Sequence, residues 1–123
     1  MTTSPRIVIV EDEMIIALDL QTRLQRLGCT VLATATSGED AIRIVAASQP
    51  DLIFMDIGLS GQLDGIDTAA HIHAQAAIPI VFLSAYTDPS TRTRMAPIMP
   101  SSLIAKPFAD AELREALRLL PGG

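Results

Sequence analysis

Four short apolar runs in this chain each stop at a polar residue able to do chemistry. Ile7-Val8-Ile9-Val10 is followed by Glu11-Asp12, and Leu52-Ile53-Phe54-Met55 by Asp56. Ile80-Val81-Phe82-Leu83 is followed by Ser84, and Leu103-Ile104-Ala105 by Lys106-Pro107. Unbroken apolar runs of this length, rich in β-branched residues, read as strands of a parallel sheet covered on both faces. Ligand sites of open α/β sheets lie outside the carboxyl ends of the strands. If the four runs are neighbours, their flanking residues meet at one edge.

Helical signals alternate with the runs. From Glu13 to Leu27 the apolar residues Ile16, Leu20, Leu24 and Leu27 recur at helical spacing, and Gly28 is a natural stop. Val31-Leu32-Ala33 is a weaker strand. Ser37 opens a helix that runs to about Ser48 and is closed by Pro50. A Gly-rich loop (Gly58, Gly61, Gly65) leads to a helix from about Ile66 to Gln75, and Ile78-Pro79 begins the next strand. Asp88-Pro89 reads as an N-cap with proline at the first helical position, and Pro97 keeps that helix short. Asp110 to Leu120 forms a last amphipathic helix, with Asp110 and Glu112 favouring its N-terminus through the helix dipole. Five βα units in succession imply a doubly wound five-stranded parallel sheet with helices on both faces.

At 123 residues the chain is read as one domain spanning 1–123, with a core of about 5–120. Its net charge of −5 argues against direct nucleic-acid binding, which rests on Lys and Arg. No run reaches membrane-spanning length, and the residues before Arg6 lack the apolar stretch of a signal peptide. Cys29 is the single cysteine, which fits a reducing compartment. A cytoplasmic protein without membrane contact is expected. Of nine basic residues eight are arginine, so Lys106 is the lone lysine. A compact ammonium set against a phosphoryl oxygen is not replaceable by the guanidinium fork.

Glu11, Asp12 and Asp56, held a few ångströms apart, repel one another and call for a cation. Carboxylates without His or Cys suit Mg²⁺, or Mn²⁺, rather than Zn²⁺. A carboxylate is also a nucleophile toward phosphorus. Phosphoryl transfer asks mainly for in-line positioning and charge neutralisation. Asp56, between the acid pair and Lys106, is placed to attack while Ser84 donates to a phosphoryl oxygen. Each residue taken alone has a plainer role: Asp12 as a helix cap, Ser84 in a turn, Lys106 as a solvated charge. Their joint position at strand ends favours a site. His71 and His73, two apart on a helix, point in different directions and form no metal pair.

Over essentially its whole length the chain resembles a response-regulator receiver domain. The resemblance is carried by Val10-Glu11-Asp12-Glu13, Met55-Asp56-Ile57, Asp64-Gly65, Leu83-Ser84-Ala85 and Lys106-Pro107-Phe108, in that order and spacing. It implies a flavodoxin-like sheet of order 2-1-3-4-5. It also implies phosphorylation of Asp56 by a histidine kinase or a histidine phosphotransfer protein, with an output by binding a further protein. The protein would be a signalling switch that catalyses only its own phosphorylation and dephosphorylation. Mg²⁺ would be held by Asp12, Asp56 and the backbone carbonyl of Gly58, with Glu11 acting through water. Ser84 and Lys106 would meet the phosphoryl group.

Three departures from the family pattern stand out. The segment Gly58–Leu63 is one residue longer than the commonest form and resembles the branch reading Asp-Ile-x-Leu-x-Gly-x-x-Asp-Gly-Ile. Leu103 replaces the usual aromatic switch residue, and Tyr86, close to Ser84, is the candidate substitute. Ala109 stands where a Ser or Thr cap is frequent, which leaves the start of the last helix to Asp110. Two rival readings remain: a receiver belonging to a hybrid kinase or multidomain regulator, and a Mg²⁺-dependent phosphohydrolase using Asp56 as nucleophile.

Overall fold

The computed structural model describes residues 4–85 and 88–120. Strands β1 (Arg6–Val10), β2 (Thr30–Ala35), β3 (Leu52–Asp56), β4 (Ile80–Ser84) and β5 (Ser101–Ala105) form one sheet of order β2-β1-β3-β4-β5. Every neighbouring pair is parallel. The helices are α1 (Met14–Arg26), α2 (Gly38–Ser48), α3 (Gly65–Gln75), α4 (Pro89–Met95) and α5 (Asp110–Ala116). This is the flavodoxin-like fold that the sequence predicts.

The apolar runs are continuous because the side chains of one strand divide between two cores. Val8, Val10, Ile53, Met55, Ile80 and Phe82 pack with Ala41 and Val45 of α2, Ile66, Ala69 and Ile72 of α3, and Met95 of α4. Their alternates Ile7, Ile9, Leu52, Phe54, Val81 and Leu83 pack with Leu20 and Leu24 of α1 and Leu113 of α5. Period-2 alternation puts successive side chains on opposite faces, so a strand covered on both sides has no polar position to spare.

Local chemistry explains most boundaries. Ser37 accepts a hydrogen bond from Asp40 N and caps α2. Asp88 accepts from Thr91 N and caps α4, with Pro89 in its first turn. Gly28 follows α1 with φ of +94°, a conformation that costs glycine little. β4 starts at Ile80 rather than Ile78: Pro79 has no N–H to donate, although its carbonyl accepts from Ile53 N.

The last helix begins at Asp110 as expected, but a different side chain caps its start and it ends sooner. Its N-cap is Ala109, whose N–H donates to the Glu112 carboxylate at 2.9 Å, while Asp110 turns away to pair with Arg23 at 2.7 Å. The start therefore rests on Glu112, not on Asp110. Beyond Ala116 the chain tightens into a 3₁₀ turn, Leu117–Leu119, and Leu120 is already extended. Proline at 121 disfavours helical geometry in the residue before it.

Candidate phosphoryl-transfer site

Sheet register brings the flanking residues together. Val10 pairs with Met55, so Glu11 and Asp56 end adjacent strands at the same level. Asp56 pairs with Leu83, and Ser84 with Ala105, which sets Lys106 one step beyond Ser84. The Lys106 N–H donates to the Ser84 carbonyl at 2.8 Å.

At the centre, Lys106 Nζ lies 3.1 Å from Glu11 Oε2 and 3.2 Å from Asp56 Oδ1. Asp56 Oδ1 also accepts from Gly58 N at 3.0 Å. Glu11 is fully buried, and its second oxygen accepts from Glu13 N. One oxygen from each of Glu11, Asp12 and Asp56 can be chosen so that all lie within 4.8 Å of one another. This donor set is made of hard oxygens and fits a small divalent cation.

Burial and neighbouring groups act differently on Glu11, Asp12 and Lys106. Burial, and then the neighbouring Asp56 charge, push the Glu11 carboxyl up to about 7, with Lys106 opposing the rise. Burial acts on Asp12 in the same direction, but hydrogen bonds from Ser60 outweigh it and hold Asp12 below its ordinary value. For Lys106, burial favours the neutral amine, yet the Asp56 and Glu11 carboxylates prevail and raise its pKa. Of Glu11 and Asp12, Glu11 is therefore the acid whose ionised form is disfavoured.

Above these groups is a cleft of about 520 Å³. Asp12, Glu13, Asp56, Gly58, Ser60, Ser84 and Lys106 line it, together with Asp88 and Thr91 from the start of α4. Glu11 lies beneath the floor, consistent with its lack of exposed surface. A second cleft, at the opposite end of the sheet between α2 and α3, is lined by such residues as Ile42, Val45 and Ile72 and contains no ionisable group.

Asp12 does not cap α1; the N-cap is Glu13, and it makes no side-chain cap bond. The Asp12 carboxylate instead accepts from both Ser60 N and Ser60 Oγ. Asp64-Gly65 has a structural role. Asp64 caps α3 in a reciprocal box with Asp67, and a Cβ on Gly65 would fall 2.0 Å from the Asp56 carbonyl oxygen. Only glycine lets α3 begin this close to the end of β3. Ser84 is buried at the end of β4, and Leu103 of β5 packs, half-buried, against the core. Tyr86 lies outside the described residues. Ser60 and Arg94 were not singled out by sequence. Arg94 of α4 reaches Asp64 at 2.9 Å and Asp67 at 3.0 Å. No periodic or motif signal marks either residue.

Comparison with known proteins agrees with this geometry. The family model described as the response regulator receiver domain matches residues 7–118. The chain belongs to the response-regulator receiver family. It is 32% identical over 114 residues to the transcriptional regulatory protein PdtaR of Mycobacterium tuberculosis, covering 93% of this chain and 55% of that protein. To the phyllosphere-induced regulator PhyR of Methylorubrum extorquens it is 35% identical, covering 87% of this chain and 40% of PhyR. The chain thus spans about half the length of the curated relatives it matches. Among solved structures, the signal receiver domain of a modulated diguanylate cyclase from Desulfovibrio desulfuricans superposes with a TM-score of 0.88 at 35% identity, covering 95% of this receiver and 93% of that chain. The Vibrio cholerae chemotaxis protein CheY4, 21% identical, shares the fold with a TM-score of 0.86 over 96% of this chain and 99% of its own. Receiver domains are signalling modules of two-component systems. No helix among the described residues is long and apolar enough to cross a membrane.

Proposed function

We propose that this receiver is the phosphoacceptor switch of a two-component relay, acting in the cytoplasm of a bacterium, with Asp56 as the residue phosphorylated. The observation that carries the reading is the Lys106 ammonium, held between Glu11 and Asp56 at the base of a polar cleft. Lys106 and the Gly58 N–H both engage Oδ1 of Asp56. That grip fixes the carboxylate and makes Oδ2 the attacking oxygen. In the transfer, Oδ2 forms a bond to phosphorus and the P–N bond to a donor histidine breaks, its electron pair remaining on the imidazole nitrogen. Asp12, Asp56 and the Gly58 carbonyl would hold Mg²⁺, or Mn²⁺, with Glu11 acting through water. The cation, when bound, neutralises charge on the phosphoryl oxygens. Lys106 neutralises it from the other side, and Ser84 donates to one of those oxygens.

A protein phosphodonor, a histidine kinase or a histidine phosphotransfer protein, fits the surroundings of the cleft. Beside Glu13 at its mouth, α1 exposes Met14, Ile15 and Leu18, which are 63%, 84% and 57% accessible. Three large apolar side chains grouped on one helix mark a surface for another protein. The output is likewise binding of a further protein.

Incubation with acetyl phosphate and MgCl₂ tests the reading. One phosphoryl group per chain is expected by mass spectrometry, located on Asp56, and absent in EDTA or in Asp56→Asn. Labelling of Asp56→Asn would move the nucleophile elsewhere, and sustained release of phosphate from small esters would instead indicate a phosphohydrolase.

A further inference from the structure

Asp12 follows β1 and immediately precedes α1, with its carboxylate only partly buried. An aspartate in that place has rotamer freedom to swing toward solvent. It does not serve α1, whose N-cap is Glu13. Ser60, 48 positions away, grips it twice: Ser60 N donates to Asp12 Oδ2 at 3.1 Å and Ser60 Oγ to the same oxygen at 2.9 Å. Ser60 comes from the lengthened segment between β3 and α3, where Gly61 takes φ of +107°. The added loop therefore delivers a backbone donor and a side-chain donor to one oxygen of one acid.

We propose that Ser60 is the positioning residue for Asp12, holding Oδ2 so that Oδ1 is presented to the divalent cation, and that this serine sets the affinity of the site for Mg²⁺. The inference rests on the Mg²⁺-dependent reading of the site. Two donors on Oδ2 fix the orientation of the carboxylate, with Oδ1 assigned to the cation. Ordering the carboxylate before the cation arrives removes a cost of binding, and loss of such an outer partner typically weakens a metal site about 10–100-fold. Because the Ser60 N–H survives side-chain truncation, the lower end of that range applies.

Isothermal titration of the EDTA-stripped chain with MgCl₂, for wild type, Ser60→Ala and Ser60→Thr, tests this. Ser60→Ala is expected to weaken binding about tenfold, and Ser60→Thr, which keeps the hydroxyl, to bind close to wild type. The Tm of Ser60→Ala in EDTA should stay near wild type, separating loss of positioning from loss of fold. Equal affinity in wild type and Ser60→Ala overturns the inference. Tighter binding in Ser60→Ala also overturns it, since the serine would then compete with the cation. Equal weakening in Ala and Thr variants assigns the effect to loop shape and rejects the hydroxyl's role. If wild type binds no Mg²⁺, the proposed metal chemistry falls, and this inference with it.

Discussion

Glu11 has no exposed surface, yet its carboxylate shares the Lys106 ammonium with Asp56. Its folded pKa of about 7, against an ordinary 4.5, has a consequence for stability. Between those two values the folded chain retains a proton that the unfolded chain has lost. Metal-free stability therefore falls as pH rises through that window and stays low above it. Differential scanning fluorimetry in EDTA should show a lower Tm at pH 8 than at pH 5.5, by an amount corresponding to about 1–2 kcal/mol. Glu11→Gln keeps the shape without the charge, so it should raise the Tm at pH 8 and flatten the dependence. Saturating Mg²⁺ should flatten it in wild type by favouring the ionised form. An equally steep profile in Glu11→Gln would assign the titration to another group. The sequence sets Glu11 and Asp12 side by side but does not show that one is disfavoured as an anion and the other favoured. Depth in the sheet and the reach of Ser60 decide that, and both are tertiary facts.

At the scale of elements, the parallel sheet and the convergence of the acids with Lys106 were legible because four of the strands are contiguous apolar runs with their chemistry at one end, whereas the strand order followed from the resemblance to receiver domains. The contacts between elements were not. Asp64-Gly65 is readable as a motif, but the need for glycine comes from the approach of α3 to the Asp56 backbone. Asp110 is an acid in the right place to start α5, yet Arg23 on α1 captures it and Glu112 does the work at the N-cap. Arg94 binds both members of the α3 capping pair and so ties α4 to the start of α3. All three side chains are substantially solvent-accessible, so the network contributes modestly, about 1 kcal/mol. Its larger effect is on local order, because α4 has only seven residues and Met95 as its buried anchor. Arg94→Ala is expected to lower the Tm slightly while raising amide exchange in α4 severalfold, with α2 and α3 retaining their protection. Unchanged protection in α4 would mean that Met95 and the Asp88 cap hold the helix unaided.

For the whole molecule, the candidate cleft and α4 are contiguous: Asp88, which caps α4, and Thr91 of its first turn line the same cavity as Asp56 and Ser84. A phosphoryl group on Asp56 adds charge of about −1.5 to −2 and strong acceptor oxygens. Lys106 and Ser84 face that charge attractively, and the Asp88 carboxylate, which caps α4, faces it repulsively. Phosphorylation there is thus expected to pull on the end of β4 and to weaken the start of the next helix. With Leu103 packed against the core in place of an aromatic, β5 offers no ring to rotate, so the short α4 is the element expected to change arrangement. Hydrogen exchange on wild type with and without beryllofluoride, in Mg²⁺, should differ most across the segment from Ser84 to Pro100. Ser84→Ala should still bind the mimic and lose most of that difference, because the hydroxyl is the link between the phosphoryl oxygens and the strand that leads into α4. A full response in Ser84→Ala would route the signal through Lys106 into α5, whose start depends on Glu112 and whose first residue is already tied to Arg23.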